Sequence, residues 1–124
     1  MKPLDVTVFP SEEKTIFVQD DPIYGGAHYY EGVPSLGFTD GKAQYSEGRM
    51  SIQFVQKNDD GTMIAGWQSE QLALILLDRV NKLNARFPSA QNVQMAKGLK
   101  MFLSACEDRV RERMERGVMG DLKK

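Results

Sequence analysis

Apolar and polar positions alternate in the first half of this chain and recur at helical spacing in the second half. Residues 5–9 and 15–19 are short runs of β-branched and aromatic side chains, which are typical of strands. Residues 50–57 alternate apolar and polar side chains, which predicts a half-buried strand. The turn-forming run at 58–61 then predicts that residues 62–67 return antiparallel to that strand.

A second hairpin is predicted within residues 38–45. Asp40 and Gly41 lie at its centre, and an Asp-Gly pair favours the two-residue turn that joins antiparallel strands. Between the early strands, Asp20-Asp21-Pro22 ends the run at 15–19, because proline and acidic residues disfavour a continuing strand. The first half therefore predicts a small antiparallel sheet.

The second half predicts two helices joined by a very short connection. Residues 70–87 carry apolar side chains at helical spacing, with Ser69 as the expected N-cap, and Pro88 ends the helix. Ser89 is expected to cap a second helix over 90–116. Gly117 follows as the residue that ends it. The expected apolar side of this second helix consists of Ala96, Leu99, Phe102, Leu103, Cys106, Val110 and Met114.

These elements predict an α+β fold, with a small N-terminal antiparallel sheet followed by an antiparallel two-helix hairpin. We expect one domain over 1–124, divided into a β-rich part (1–67), a helical hairpin (68–118) and a frayed tail (119–124). The first half of the first helix is apolar almost all round, and such a helix needs cover on two sides. The sequence therefore predicts a homo-oligomer.

Charge is distributed unevenly along the chain, although the formal net charge is −1. Residues 1–66 carry 5 basic and 10 acidic side chains, whereas residues 67–124 carry 11 basic and 7 acidic ones. The basic half favours an anionic ligand or head-to-tail contact between copies, and chance is the alternative. The chain as a whole is not basic enough for a general nucleic-acid-binding protein.

Composition excludes several classes of enzyme and of metal protein. Cys106 is the only cysteine and His28 the only histidine, so disulfide frameworks, Cys-rich zinc sites and most histidine-based catalytic sites are unsupported. No membrane span and no signal-peptide segment are evident. The composition is therefore poor in the residues that enzymes usually need, and we expect a cytoplasmic protein without a metal or a cofactor.

Arginines near the end of the second helix are the first candidate binding residues. At about 100° per residue, Arg109, Arg113 and Arg116 fall within an arc of about 60°. Like charges so spaced repel one another, and guanidinium groups bind phosphates bidentately, so the pattern favours an anionic phosphate ligand. The alternative is structural, since Glu112 can pair with Arg109 and with Arg116.

Two other segments could contribute to a binding site. Residues 24–30 combine two glycines with His28, Tyr29 and further tyrosines, which can approach and stack on a ligand, or can form a turn and part of the sheet core. The interhelix loop places Phe87 and Asn92 beside a helix N-terminus, a position that favours anions. Its alternative interpretation is a capped turn with Phe87 in the core.

Three segments together resemble a family of small phage proteins. They are GWQSEQLALILLDRVNKLN, the FPSAQN loop and RVRERMERGVMG, with GGAHYY upstream as a weaker match. They are similar to the Thoeris anti-defence protein 1 family and, more distantly, to phage anti-CBASS cyclic-nucleotide sponges. The resemblance covers residues 24–30 and 62–120 and is most specific at the arginine-rich end.

The resemblance implies a protein that binds its ligand and leaves it intact. Members of the family sequester a cyclic ADP-ribose isomer made by a bacterial TIR-domain immune enzyme, and some hold cyclic di- or trinucleotides at a separate site. It implies that Arg109 and Arg113 bind phosphate and that Asn92 makes a polar contact. Further expected ligand-binding residues are Phe87, His28, Tyr29 and Arg116. The family assembles through dimers in the cytoplasm of the host bacterium.

Two other functions stay open on the sequence. An enzyme could use His28 as a general base in a small phosphodiesterase or glycohydrolase. A small phage nucleic-acid-binding or interaction protein could use the arginine-rich face of the second helix instead, and its affinity for oligonucleotides would then fall steeply with salt.

Overall fold

The computed structural model describes residues 1–117 and shows strands followed by two helices. The strands are β1 (Lys2–Pro3), β2 (Ile16–Val18), β3 (Tyr29–Gly32), β4 (Ser35–Thr39), β5 (Lys42–Tyr45), β6 (Met50–Gln53), β7 (Gln56–Lys57) and β8 (Met63–Ile64). The helices are α1 (Ser69–Arg86) and α2 (Ala90–Arg116). The predicted α+β class, with an antiparallel sheet before a helical hairpin, is confirmed.

The main sheet has four antiparallel strands in the order β1-β2-β3-β6. β3 lies inside the sheet, where Tyr30 pairs with Val18 on one side and with Ile52 on the other. Val18 is buried, and the ring of Tyr30 contacts that of Phe54 edge to face, with centroids 5.8 Å apart. The tyrosine-rich segment is therefore a central strand of the sheet.

Two short hairpins complete the β-rich part. β4 and β5 pair around Asp40 and Gly41, whose φ angles of 53° and 76° confirm the predicted two-residue turn. β7 and β8 form a second two-stranded ribbon, which is closed by a hydrogen bond of 2.9 Å from Asn58 N–H to the Thr62 carbonyl.

Two strand predictions were wrong in part. Residues 5–9 form no strand; β1 instead occupies residues 2 and 3, and the chain leaves the sheet after Leu4, whose N–H donates to the Ile16 carbonyl. The predicted strand over 50–57 divides into β6 and β7, and β6 pairs with β3 rather than with residues 62–67. Alternation shows that a segment suits a sheet, but the choice of neighbouring strand depends on contacts distant in sequence.

The helix ends agree with the predictions to within one residue. α1 begins at Ser69, so the N-cap is Gln68, and its N–H donates to Gln71 Oε1 at 2.9 Å. α1 ends before Pro88, as predicted. Ser89 caps α2 by accepting from the Asn92 N–H at 3.0 Å. Gly117 closes α2 in the left-handed conformation, with φ of 69°. The predicted frayed tail at 119–124 lies outside the described residues.

The helices pack through residues spaced alternately three and four apart, which we call the seam. On α1 the seam contains Ala73, Leu77, Val80 and Asn84, and on α2 it contains Asn92, Ala96, Leu99, Leu103, Cys106, Val110 and Arg113. All are buried or half-buried. Since α2 has 27 residues and α1 has 18, the last turns of α2 extend beyond the start of α1. Phe102 and Met114, which were predicted on this side of α2, are instead exposed.

The chain forms two compact units. One consists of Met1–Gln56 with Met63–Gly66, and the other consists of Lys57–Thr62 with the segment from Trp67 onward. The β-rich unit contains the four-stranded sheet, and the helical unit contains the hairpin of α1 and α2. The expectation of a single domain over 1–124 stays a prediction.

Candidate functional site

The three candidate arginines lie in the last turns of α2, where the helix is regular to Arg116. Arg113 is half-buried on the seam, whereas Arg109 and Arg116 are exposed. They therefore share one side of the helix, as their spacing predicts. Positive charge at this end of α2 also complements the helix dipole.

Ion pairing separates these arginines into two groups. Glu112 pairs with Arg116, with one hydrogen bond of 3.1 Å, and Glu107 pairs with Arg111 at 2.8 Å. Among residues 1–117, no carboxylate lies within ion-pair distance of Arg109 or Arg113. The structural alternative thus accounts for Arg116, while two neighbouring guanidinium groups keep their donors available to an anion.

The interhelix loop is held by its own hydrogen bonds. Asn92 Nδ2 donates to the Phe87 carbonyl at 3.0 Å, and Asn84 Oδ1 accepts from the Ser89 N–H at 3.1 Å. The Phe87 ring is 62% exposed, with the guanidinium of Arg86 5.4 Å from its centroid. Because the ring is exposed, the alternative that placed Phe87 in the core was wrong. An exposed ring can stack on a ligand.

The loop and the arginines lie at opposite ends of α2. Asn92 and Arg109 are 17 positions apart, which at 1.5 Å per residue is about 25 Å along the helix. A small nucleotide cannot contact both groups within one chain. A site made from Phe87, Asn92, Arg109 and Arg113 therefore requires two copies of the chain with their hairpins antiparallel.

His28 lies in the β-rich unit, in a segment held together by Asp21. Asp21 Oδ1 accepts from the N–H groups of Ile23 and Tyr24 at 2.8 and 3.1 Å. Its Oδ2 lies 3.3 Å from His28 Nδ1 and accepts from Gln56 Nε2 at 3.2 Å. The hydrogen bonds from Ile23, Tyr24 and His28 hold the pKa of Asp21 below its usual range.

The backbone before His28 adopts conformations that side chains rarely allow. Gly25, Gly26 and Ala27 have positive φ angles of 68°, 117° and 86° in succession. A Cβ atom on Gly26 would lie 2.9 Å from Cγ2 of Val18, so this buried glycine is required for close packing as well as for its backbone angle. Tyr29 follows within β3, and its hydroxyl donates to Glu31 at 3.0 Å.

A cavity of about 250 Å³ adjoins the Asp21–His28 pair within the β-rich unit. Its lining includes Gln19, Asp20, Asp21, Pro22, His28, Tyr29, Gln53, Gln56 and Ile64. The sequence predicted His28 and Tyr29 as possible ligand contacts but gave no indication of Asp21 or Gln53. Gln53 reaches the cavity through the pairing of β3 with β6, and Asp21 reaches His28 across the turn at residues 25–27.

The part of the chain that the structure describes has neither a metal-binding cluster nor a helix suited to cross a membrane. Residues 1–117 contain no group of three or more histidine, cysteine, aspartate or glutamate side chains that could hold a metal ion. Neither α1 nor α2 is long and apolar enough to cross a membrane. No protein-family model matches the chain, and no curated protein is significantly similar to it.

Proposed function

We propose that this protein sequesters a cyclic ADP-ribose isomer without altering it, and so prevents a TIR-domain immune enzyme from signalling in the cytoplasm of a phage-infected bacterium. The observation that carries the proposal is the pair Arg109 and Arg113, which share one side of α2 and have no carboxylate partner among residues 1–117. The doubly charged pyrophosphate of the ligand suits two adjacent guanidinium groups.

The site belongs to a dimer in this proposal. Residues one position before the seam lie on the same side of both helices, because antiparallel helices turn in opposite senses when viewed from one end. This side exposes Leu76 (49%), Leu83 (38%), Met95 (48%) and Phe102 (45%), which we call the apolar face. Met95, Phe102 and Arg109 follow one another at seven-residue intervals, so Arg109 lies at one end of the apolar face.

Two antiparallel copies that cover their apolar faces would bring the separated ligand groups together. With Phe102 near the centre of the contact, Arg109 and Arg113 of one copy approach Phe87 and Asn92 of its partner. The guanidinium groups then bind the pyrophosphate, and the exposed Phe87 ring stacks on the base. Exclusion of water at such an interface strengthens the charged contacts.

Arg116 has a smaller role in this proposal, because Glu112 already neutralises it. His28 and Tyr29 belong to the β-rich unit, whereas Arg109 and Arg113 belong to the helical unit. The proposed site therefore consists of helical residues alone. The resemblance also implies that cyclic di- or trinucleotides are held at a separate site, and that implication stays part of the proposal.

The test is binding of cyclic ADP-ribose isomers, taken from the reaction of an active TIR enzyme, to the parent protein and to Arg109→Ala/Arg113→Ala. Two lost charge-assisted hydrogen bonds predict an affinity at least about 100-fold weaker, measured by calorimetry. The matched control is Lys97→Ala/Arg111→Ala, which removes the same charge elsewhere on α2 and should bind like the parent. Equal affinity of the arginine variant and the parent would contradict the proposed site.

Two further measurements separate this function from its alternatives. Heat denaturation of the complex should release the ligand intact, whereas an enzyme that uses His28 would leave a product detectable by mass spectrometry. A nucleic-acid-binding protein that uses the same arginines would instead bind oligonucleotides with an affinity that falls steeply as salt rises.

A further inference from the structure

The cavity beside the Asp21–His28 pair is lined by acidic and hydrogen-bond-accepting side chains, whereas the arginine pair is basic. Asp20 and Asp21 both contribute to its lining, and among residues 1–117 no lysine or arginine does. Asp20 is 75% exposed at its side chain and pairs with Lys2 through Oδ1 at 2.9 Å. Its second oxygen has no hydrogen-bond partner in the described part of the chain. Because Lys2 offsets the charge of Asp20, the negative charge of the described lining comes mainly from Asp21, and it favours cations over phosphates.

The hydrogen bonds around His28 determine which ring nitrogen accepts. Since an ionised carboxylate can only accept, the contact between His28 Nδ1 and Asp21 Oδ2 requires the proton on Nδ1. The neutral ring then presents Nε2 as an acceptor, and Nε2 has no partner among residues 1–117. The His28 side chain is 16% exposed, and no buried polar side-chain atom of the described residues lacks a hydrogen-bond partner, so Nε2 stays accessible to a ligand.

Gln53 supplies a further acceptor in the same lining. Its Nε2 donates to the carbonyl oxygens of Phe54 at 2.8 Å and of His28 at 3.4 Å, which fixes the orientation of the amide. Oε1 is therefore the remaining polar atom of the side chain, and no donor in the described residues reaches it. The cavity thus combines three unused acceptors, from His28, Gln53 and Asp20, with the carboxylate charge of Asp21.

We propose that this cavity binds a small organic ammonium ion. An ammonium group has three N–H donors and no acceptor, which matches three acceptors and a negatively charged lining. Pro22, Ile64 and the Tyr29 ring provide apolar contacts for a short hydrocarbon chain, and a volume of about 250 Å³ limits the ligand to a few carbon atoms. The strained backbone at Ala27, next to His28, is a feature that concentrates at functional sites.

Because His28 is the only histidine, its ring protons give a single resolved pair of signals in the NMR spectrum of the full chain. The probe is n-butylammonium, with 1-butanol as the neutral ligand of matched size and inorganic phosphate as the anion, at constant ionic strength and neutral pH. We expect a saturable shift of the His28 signals with n-butylammonium alone. The absence of a saturable shift, or an equal shift with 1-butanol or phosphate, would overturn the proposal.

Two variants locate the ligand. Asp20→Asn changes an exposed side chain and is compatible with the fold, so an affinity about threefold weaker is expected from loss of a screened charge. Gln53→Met removes an acceptor and should weaken binding about tenfold. Asp59→Asn changes an exposed aspartate outside the cavity and should bind like the parent. Unchanged affinity of Asp20→Asn would contradict the proposed site.

This inference is independent of the proposed function. Arg109→Ala/Arg113→Ala should bind n-butylammonium with the affinity of the parent, because both arginines lie in the helical unit. Failure of one proposal therefore leaves the other testable on the same protein.

Discussion

Asp21 holds the least regular segment of the β-rich unit through both of its carboxylate oxygens. It accepts from two backbone N–H groups and lies in hydrogen-bond distance of His28 and Gln56. The sequence identified Asp20-Asp21-Pro22 as a break, and the structure confirms that β2 ends before it. The pairing of Asp21 with His28 was not predictable, because it depends on three consecutive residues with positive φ between them.

The pH dependence of this segment follows from Asp21. Its hydrogen bonds lower the pKa in the folded state, so the stabilisation they give is present above the unfolded pKa and is lost as pH falls through the folded value. We expect the Ile23 and Tyr24 amide shifts to be constant down to about pH 4 and to change below it. Asp21→Asn should lose this titration, since a neutral amide has no carboxylate to protonate.

A matched control exists for this measurement. Asp60 accepts from the N–H and the hydroxyl of Thr62 in a similar turn, and these bonds likewise lower its pKa. Asp60→Asn should therefore leave the titration of the Ile23 and Tyr24 amides as in the parent. Persistence of that titration in Asp21→Asn would show that another group controls the segment.

At the scale of elements, the helices were the more predictable part of the chain. The caps at Ser89 and Gly117 and the break at Pro88 are local signals, and the structure confirms all three. Strand pairing was predicted less well, since β3 was not recognised as a central strand and β6 was assigned the wrong neighbour. Helical hydrogen bonds join residues close in sequence, whereas strand partners depend on the whole sheet.

Ser89 is the element-scale position with the clearest expected effect. Its hydroxyl accepts from the Asn92 N–H, so Ser89→Ala leaves an N-terminal donor of α2 without its partner. We expect the free energy of unfolding of the hairpin to fall by about 1 kcal/mol, measured by denaturant unfolding followed by circular dichroism at the helical band. Ser104→Ala, at an exposed position within α2, should leave the stability unchanged or slightly raise it. Equal effects of the two changes would show that capping is not the cause.

For the whole molecule, the main structural consequence is that the predicted ligand-binding residues are distributed over three places in one chain. They are the β-rich unit, the interhelix loop and the far end of α2. The apolar face lies between the last two of these, and its exposed side chains fit the predicted homo-oligomer. Assembly and ligand binding should therefore depend on the same surface.

Phe102→Glu tests that dependence. A carboxylate at the centre of the apolar face would be buried without a partner on association, so the variant should be monomeric and should lose affinity for the cyclic ADP-ribose isomer. Sedimentation velocity measures the first effect and calorimetry the second. Lys100→Glu adds negative charge to an exposed position on the opposite side of α2 and should behave as the parent does. A monomeric parent protein, or a Phe102→Glu variant that still dimerises and binds, would contradict the composite site.

The sequence by itself determined the α+β class, the two helices with their ends to within one residue, the turn at Asp40-Gly41 and the common side of the three arginines. Each of these depends on residues within a few positions of one another, where helical and turn geometry is fixed by local sterics and hydrogen bonds. Only the tertiary structure decided that Glu112 pairs with Arg116 and not with Arg109, that Phe87 is exposed, and that His28 meets Asp21 beside a cavity. Those outcomes depend on which of several possible partners each side chain reaches once the chain has folded.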